Sequence, residues 1–250
     1  MDILTASKEF YWYHCVELTP GVVTDGDHDM TSHLPAFRFP ERMDGLQVLD
    51  IGRASGFFAF EFERRGAVVT ATELPSLMDW DFVGGDWARD QRLKGIPDID
   101  AANLKFIHGA FEFARRARRS KVIGKLIKAY DISPEAFGGQ KFDLVFAGSL
   151  TSHLRDPILA MERIYAMTRQ YAVISAPVFE LMEGDEQPLM KLVGTFDHDR
   201  RSWWNVNQRG LQEMLYCAGF RSVETVGSFR LNNMRDKSIS ILHVVMHAWV

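Results

Sequence analysis

The stretch LQVLDIGRASGFFAFEFERRGAVVTATE, residues 46–73, decides the fold of this chain. Its first part, residues 48–51, is a short and mostly apolar run of the kind that forms a buried strand. Gly52 and Gly56 follow and bracket a turn, where the missing Cβ atoms let a ligand approach the backbone. The stretch therefore predicts a strand, a glycine turn, a helix and a second strand in immediate succession.

The helix of this unit is predicted from four phenylalanines and its end signals. Ser55 is expected to cap its first turn, and Gly66 is a natural C-terminal stop. The second strand then runs to the carboxylate of Glu73. The apolar surface of the helix comes from Phe57, Phe58, Phe60 and Phe62.

A strand, turn, helix and strand in this order form a nucleotide site, because ligands collect at the carboxyl ends of parallel strands beside a helix N-terminus. Glu73 is placed to accept hydrogen bonds from both ribose hydroxyls of an adenosine. The dinucleotide fingerprint is not met, since no third glycine follows Gly56 at the required offset. Asp50 would repel a pyrophosphate but could bind an ammonium group. The turn therefore favours a nucleoside that carries a cationic amino acid over NAD.

Residues 48–67, VLDIGRASGFFAFEFERRGA, resemble the first motif of the class I S-adenosylmethionine-dependent methyltransferases. The resemblance is closest to the branch of the tRNA wobble-uridine carboxymethyltransferases and their small-molecule relatives. Arg53 and Ala54 replace the small residue and middle glycine of the family motif D-x-G-x-G-x-G. Further matching segments are WYHCVEL (12–18), FDLVFAGSLTSHLRDP (142–157) and LQEMLYCAGF (211–220).

The resemblance implies an α/β, Rossmann-like class I methyltransferase fold, with S-adenosyl-L-methionine as cofactor. Its sheet is expected to have seven mostly parallel strands and an antiparallel C-terminal hairpin. The chain is expected to form a single domain over residues 1–250. Residues 1–45 would be an N-terminal extension, and the core 46–250 would carry insertions near 75–102 and 112–140.

The resemblance also implies a set of site residues. A strand is predicted over Leu104–His108. Ala110 and Phe111, which come after it, would lie beside the adenine ring. His153 would lie near the methyl donor, either as a general base or as a histidine that merely holds its loop. The expected cofactor-binding residues are Asp50, Gly52, Arg53, Ser55, Gly56, Glu73, Leu74, Ala110, Phe111, Gly148, Ser149 and Leu150.

Two further segments allow alternative interpretations. The aromatic run of residues 10–13 either closes over the cofactor, lending Tyr13 and His14 to the substrate site, or simply packs on the domain. Residues 112–130 have the pattern of a basic amphipathic helix, which is either a grip for phosphates or a solvated face.

Residues 178–206 are expected to face the substrate. The triplet Trp203, Trp204 and Asn205 would line the acceptor pocket or pin this segment to the core. Asp156 and Asn207 are predicted to cap the helices that follow them. Other polar residues of the segment are Glu180, Glu183, Asp185, Glu186 and His198.

Composition narrows the class of protein further. With 29 basic and 33 acidic residues, the charge balance does not point to nucleic acid. Two cysteines are too few for a disulfide framework, and no run of residues suggests a membrane span or a secretion signal. Asp25, Asp27 and Asp29 have the odd spacing of a calcium loop but lack its glycine and closing glutamate, so no metal is predicted. A cytoplasmic enzyme is expected.

The predicted function is methyl transfer to a small-molecule acceptor, in secondary metabolism or elsewhere, by in-line displacement. The first alternative is a tRNA-modifying methyl- or carboxymethyltransferase, and the second is a noncatalytic protein that binds the cofactor. An NAD-dependent oxidoreductase is disfavoured by the glycine spacing. The acceptor atom and the oligomeric state are not predicted from the sequence.

Overall fold

The computed structural model describes residues 2–182, 184, 186–194 and 201–250, without the side chains of residues 88, 91 and 92. Glu183, Asp185 and His198 of the predicted substrate-facing segment lie outside the described residues. None of the helices in the described part is long and apolar enough to cross a membrane.

The strands of the described part are β1 (Glu17–Thr19), β2 (Val22–Val23), β3 (Gln47–Ile51), β4 (Val68–Glu73), β5 (Ile123–Leu126), β6 (Phe142–Gly148), β7 (Thr168–Pro177), β8 (Met190–Leu192), β9 (Trp204–Val206), β10 (Ser222–Asn232) and β11 (Ser240–Trp249). The α-helices are α1 (Ile3–Ser7), α2 (Phe57–Arg64), α3 (Gly85–Leu93), α4 (Ile99–Asn103), α5 (Gly109–Ala117), α6 (Pro157–Met167) and α7 (Gln208–Cys217).

Seven of these strands form one sheet in the order β10-β11-β7-β6-β3-β4-β5. The pairs among β7, β6, β3, β4 and β5 are parallel, whereas β11 runs antiparallel to both β7 and β10. The predicted fold class, a mostly parallel seven-stranded sheet closed by an antiparallel hairpin, is confirmed. Because the chain leaves β3 toward β4 and later returns on its other side as β6, a crevice opens at the carboxyl end of β3.

The sheet is buried on both faces, which explains why the central strands are almost continuously apolar. One face is covered by α2, α5 and the N-terminal extension, and its core contains Phe58, Phe62 and Phe146. The other face is covered by α6 and α7, with Met161 and Leu211 among its buried side chains. Helix caps predicted from the sequence are confirmed, since Asp156 accepts from the Leu159 N–H at 2.9 Å and Asn207 from the Gly210 N–H at 2.8 Å.

The N-terminal extension is docked against the C-terminal hairpin β10–β11. Nδ1 of His28 donates to the Asn232 carbonyl at 2.9 Å, and Nε2 of His247 donates to the Phe37 carbonyl at the same distance. Phe37 has no exposed surface and packs on the rings of Phe58 and Phe229. The extension is therefore part of the hydrophobic core.

Two predictions between β4 and β6 are wrong. Residues Leu104–His108 form a π-helical turn between α4 and α5 instead of a strand, because a short apolar run fits either structure. The basic amphipathic helix predicted over 112–130 is also wrong, because α5 ends at Ala117. Two residues later Arg119 takes a φ of 54°, which does not continue a helix. The chain then enters β5, a sheet strand inside the predicted insertion 112–140. As an edge strand, β5 leaves Ile123 and Leu126 half exposed, which gave it the mixed pattern of a surface helix.

Candidate functional site

A cavity of about 420 Å³ opens at the carboxyl ends of β3, β4, β5 and β6, where the topology predicts a crevice. This volume lies within the usual range for small-molecule sites. Its inner wall consists of the strand ends and the glycine turn, namely Ile51, Gly52, Ala54, Thr72, Glu73, Leu74, Gly148, Ser149 and Leu150. Its outer wall consists of Met78, Asp79, Trp80, Asp81, Phe82, Gly85, Asp86, Arg89, Ile127, Lys128, Ala129, Tyr130, His153 and Leu154, and Tyr13 closes one end.

The glycine turn between β3 and α2 needs backbone conformations that few residues adopt. Gly52 and Gly56 have φ values of 77° and 92°, and Ala54 between them has a φ of 46°. A Cβ on Gly56 would lie 2.7 Å from both Phe60 and Phe111, so this position has no room for a side chain. The N–H groups of Gly52 and Arg53 both donate to the Thr72 carbonyl at 3.0 Å, which fixes the turn to the end of β4.

Glu73 ends β4 and connects the turn to the cavity. One carboxylate oxygen accepts from the Ala54 N–H at 2.9 Å, and the other accepts from the Leu74 N–H at 2.9 Å. Each carboxylate oxygen has two lone pairs, so each retains capacity for one further donor. The carboxylate is therefore held in place and available to a ligand with two adjacent hydroxyls.

Asp50 and Arg53 lie beneath the turn and do not line the cavity. Asp50 is buried, one of its oxygens has no hydrogen-bond partner among the described residues, and burial raises its pKa to about 7. Arg53 is also buried, with its guanidinium 4.2 Å from the centre of the Phe111 ring, and burial lowers its pKa. The charges of Asp50 and Glu73 favour the protonated guanidinium, so Arg53 compensates the negative charge below the site.

Ser55 joins the N-terminal extension to the glycine turn. Its hydroxyl accepts from the Tyr13 N–H at 2.9 Å and from the His14 N–H at 3.4 Å. The predicted capping role of Ser55 is wrong, because Gly56 is the N-cap residue of α2 and no side chain caps this helix. Phe10 and Trp12 of the aromatic run pack on Phe113. Within the aromatic run, Phe10 and Trp12 therefore pack on the domain, whereas Tyr13 lines the cavity. His14, the next residue, borders a smaller space beside it.

Asp81 holds the outer wall together. Its side chain accepts from the Tyr130 hydroxyl and from the Arg155 N–H, both at 2.6 Å. Its main-chain carbonyl accepts from Nε1 of Trp203 at 2.5 Å. Nearby, Nδ1 of His153 donates to the Arg201 carbonyl at 2.9 Å. Asp81 therefore links three segments that are far apart in the sequence.

A second, smaller chamber of about 40 Å³ adjoins the cavity behind Ser149 and Ala54. His14 borders it and is buried, its Nδ1 has no partner among the described residues, and burial lowers its pKa to about 3. His14 is therefore neutral near pH 7. The residues described around the chamber are Tyr13, His14, Met30, Phe37, Gly52, Ala54, Phe58, Phe146, Gly148, Ser149, Ser175, Phe229 and Leu231.

Ser149 lies between the two spaces and bonds to a buried histidine. Its φ of 55° is strained for a serine, and its Oγ is 3.0 Å from Nε2 of His243. Nδ1 of His243 is 3.0 Å from the Ile241 carbonyl, which can only accept, so Nδ1 carries a proton. Burial lowers the pKa of His243 to about 4, which leaves the ring neutral and Nε2 free to accept from the Ser149 hydroxyl.

The predicted site residues fall into two groups. Gly52, Glu73, Leu74, Gly148, Ser149, Leu150, His153 and Tyr13 line the cavity, and His14 borders the chamber. Asp50, Arg53, Ser55, Gly56, Ala110, Phe111, Trp203, Trp204 and Asn205 do not line either space.

The predicted adenine contact at Ala110 and Phe111 does not agree with this arrangement. Phe111 has no exposed surface and stacks on Phe60 at a ring distance of 5.6 Å. The error follows from the misassigned strand, since β5 is the strand beside β4 and the residues after it reach the cavity. Sequence reasoning also missed His243, Asp81 and Tyr130. An alternative placement of the strand at 123–126 would have pointed to residues 127–130.

The tryptophan pair has a structural role in the described residues. Nε1 of Trp203 donates to Asp81, and Nε1 of Trp204 donates to the Arg155 carbonyl at 3.1 Å. Asn205 pairs with Lys191 in the small β8–β9 sheet. Of the two interpretations of this triplet, the geometry favours the pinning of the segment to the core.

The sequence matches no protein-family model and no curated protein. Solved structures do match over the whole fold. The N-terminal domain of EvdMO1, crystallised in the presence of SAH and D-fucose, is similar with a TM-score of 0.62 and 15% identity, and the match covers 100% of this chain and 97% of that one. The chain spans 46% of the longer EvdMO1 structure, which is 15% identical with a TM-score of 0.58 over 99% of this chain.

Two enzymes from other organisms have the same fold. A putative S-adenosylmethionine-dependent methyltransferase from Listeria monocytogenes is 11% identical with a TM-score of 0.55, over 87% of this chain and 96% of that one. Phosphoethanolamine N-methyltransferase 2 from Haemonchus contortus, in complex with S-adenosyl-L-methionine, is 15% identical with a TM-score of 0.54, over 88% and 52%. At these identities the likeness establishes the Rossmann-like fold of these methyltransferases.

Proposed function

We propose that the protein is an S-adenosylmethionine-dependent methyltransferase that acts on a small molecule. The observation that carries the proposal is Glu73, a carboxylate held by the glycine turn at the carboxyl end of β4 and exposed to a cavity of about 420 Å³. Structures of the same fold crystallised with SAH or S-adenosyl-L-methionine support this cofactor.

The residues of the cavity fit the cofactor. Glu73 would bind the ribose hydroxyls, and residues 127–130 would surround the adenine ring, because they follow the strand next to β4. The main chain at Gly52 and Ala54 would border the methionine part, on the side of Ser149 and Leu150. The buried Asp50 and Arg53 would act through the turn, since neither reaches the cavity.

S-adenosylmethionine supplies an electrophilic methyl group on a positively charged sulfur. The protein's contribution is alignment and exclusion of water, which together account for much of the rate of such displacements. Tyr13 and the glycine turn border both spaces and would hold the reacting groups in line. Of the two bases that the sequence predicts, His14 borders the chamber and His153 lies in the cavity wall.

A small acceptor suits the geometry better than RNA. Two arginines at the end of α5 have local partners. Arg115 pairs with Glu112 at 2.8 Å, and Arg118, directly after the helix, lies 5.1 Å from the centre of the Phe60 ring. In the outer wall, Lys128 pairs with Asp79 at 3.2 Å and Arg89 with Asp86 at 2.9 Å, so these two cations already have acidic partners. The wall therefore presents no surplus of basic side chains to a phosphate backbone.

Calorimetric titration with S-adenosylhomocysteine tests the cofactor class, with NAD as the matched control. We expect selective micromolar binding of S-adenosylhomocysteine. Binding of NAD alone, or of neither compound, would contradict the proposal. Transfer of a labelled methyl group to an acceptor then separates an enzyme from a protein that only binds the cofactor.

A further inference from the structure

The small chamber has the properties of a binding site for one polar group. It adjoins the cavity on the side where Gly148 and Ser149 border both spaces. Its volume of about 40 Å³ leaves room for roughly one or two water-sized groups. His14, only 6% exposed, borders this chamber, whose lining otherwise consists mostly of apolar side chains. An imidazole at the edge of an otherwise apolar site can hydrogen-bond a polar group that enters the site, and such a bond adds affinity.

The chamber favours a neutral group. Among the described residues that line it, none carries a formal charge near pH 7, because burial keeps His14 neutral and raises the pKa of Tyr13 to about 12. An ammonium or carboxylate group would lose its hydration there without gaining an opposite charge. A hydroxyl group loses much less, and it can donate and accept hydrogen bonds at once.

The pair of Ser149 and His243 is arranged to remove a proton. The Ile241 carbonyl fixes the His243 tautomer, so Nε2 accepts from the Ser149 hydroxyl, as in sites where a histidine activates a serine. The strained backbone at Ser149 is typical of a residue whose position serves function. Phe229 stacks on the His243 ring at 5.2 Å and holds its plane. The other titratable groups near His243 are His28 and His33, whose charges would oppose its protonation.

We propose that the chamber receives the hydroxyl group of a small neutral acceptor, that His14 hydrogen-bonds this hydroxyl, and that Ser149 and His243 take up its proton. This inference rests on the proposed function. The acceptor oxygen forms a bond to the methyl carbon, and the carbon–sulfur bond breaks with its electron pair remaining on sulfur. The acceptor proton passes to Oγ of Ser149 while the serine's own proton passes to Nε2 of His243. The positive charge lost at sulfur thus reappears on the imidazolium, and the net charge of the site is unchanged.

A matched series of acceptors tests the substrate class. The full chain is incubated with S-adenosylmethionine labelled in the methyl group and with cyclohexanol, cyclohexylamine or cyclohexanecarboxylate, and with the corresponding phenol, aniline and benzoate. We expect label in the hydroxyl compounds. Label mainly in the amines or carboxylates, or in none of the six while S-adenosylhomocysteine binds, overturns the hydroxyl assignment. Failure to bind S-adenosylhomocysteine overturns the proposed function itself and the inference with it.

Variants test the proton pathway. Ser149→Gly removes the hydroxyl at a φ that glycine adopts readily, and His243→Phe removes the base. Each should lower kcat by at least about 100-fold while KM changes less than about threefold. His243→Gln keeps a polar group near Oγ of Ser149 without a base, so we expect it to fail as well. Full activity of His243→Gln would show that His243 only positions Ser149, and full activity of Ser149→Gly would exclude the relay.

A matched control and a measurement without turnover complete the test. His247→Gln removes another β11 histidine but keeps a side-chain donor for the Phe37 carbonyl. It should leave kcat within about twofold of the parent, because His247 itself lines neither space. In ¹⁵N NMR spectra of the histidine rings, His243 should show a protonated Nδ1 and an accepting Nε2, and Ser149→Gly should shift the Nε2 signal. A protonated Nε2 in the parent protein would contradict the relay.

Discussion

The inner and outer walls of the cavity are built in different ways. The inner wall is fixed by bonds within the β3–α2–β4 unit, such as those that the Glu73 carboxylate accepts from the N–H groups of Ala54 and Leu74. The outer wall depends on side chains that join distant segments, such as Asp81 with Arg155, 74 positions away, and with Trp203, 122 positions away. The part of the site that would hold the cofactor is therefore built from local contacts, whereas the closure of the site depends on tertiary contacts.

The largest effect is expected for Glu73→Ala, which removes the ribose acceptor from the inner wall. Loss of charge-assisted hydrogen bonds should weaken S-adenosylhomocysteine binding by roughly 100-fold, measured by calorimetry. Glu41→Ala, at an exposed position of the extension, is the control and should bind like the parent. Equal affinities of Glu73→Ala and the parent would show that the ribose lies elsewhere.

The next effect is a pH dependence that originates at His14. Its pKa is lowered by burial from 6.5 to about 3, so between these values the unfolded chain binds a proton that the native state excludes. Above pH 6.5 His14 does not lower the free energy of unfolding. Below pH 6.5 it lowers the free energy of unfolding by about 1.4 kcal/mol for each unit by which the pH decreases. Asp50, whose pKa is raised to about 7, acts in the opposite sense, because its native state retains the proton that the unfolded chain has lost above pH 4.

The variant His14→Phe separates the effect of His14 on the free energy of unfolding from that of Asp50. Between pH 6.5 and 5, the free energy of unfolding should fall by about 2 kcal/mol less in the variant than in the parent, measured by urea titration. Parallel curves for the two proteins would mean that His14 titrates normally in the native state.

A third prediction concerns the outer wall. Asp81→Ala removes the acceptor of the Tyr130 hydroxyl and the Arg155 N–H, so local opening should become easier by about 1.4 kcal/mol. Hydrogen exchange of residues 77–86 and 155 should then be roughly 10-fold faster, with little change in the inner wall. Asp86→Ala, whose side chain is 87% exposed, serves as the control. Faster exchange throughout β3 and β4 would show that the two walls open together.

The smallest effect on stability is expected from a comparison of two variants of Ser149. Ser149→Gly and Ser149→Ala both lose the bond to His243, but only glycine relieves the φ of 55°. The glycine variant should therefore be more stable than the alanine variant by about 1 kcal/mol in thermal unfolding. Equal melting temperatures would indicate that the backbone relaxes away from this conformation in solution.

The parts of the fold and site that the sequence predicts are those built from local contacts. The sequence predicts the glycine turn, Glu73 and the strands β3 and β4, because their signals lie within consecutive residues. The strand β5 was missed, since an exposed edge strand with Gly124 has a weak apolar pattern. His243 could not be assigned a role, because its partner Ser149 is 94 positions away and only the sheet order brings the two together.

The docking of the N-terminal extension on the C-terminal hairpin also sets a time order for biosynthesis. The bond between His28 and Asn232 joins residues 204 positions apart. At ordinary translation rates, roughly 10 to 40 seconds separate the synthesis of these two residues. During that interval the glycine turn can already be folded, while the chamber, which needs Phe229 and Leu231 as well as His14, is still incomplete. A nascent chain of this protein would therefore acquire its cofactor turn well before it acquires a closed place for the reaction.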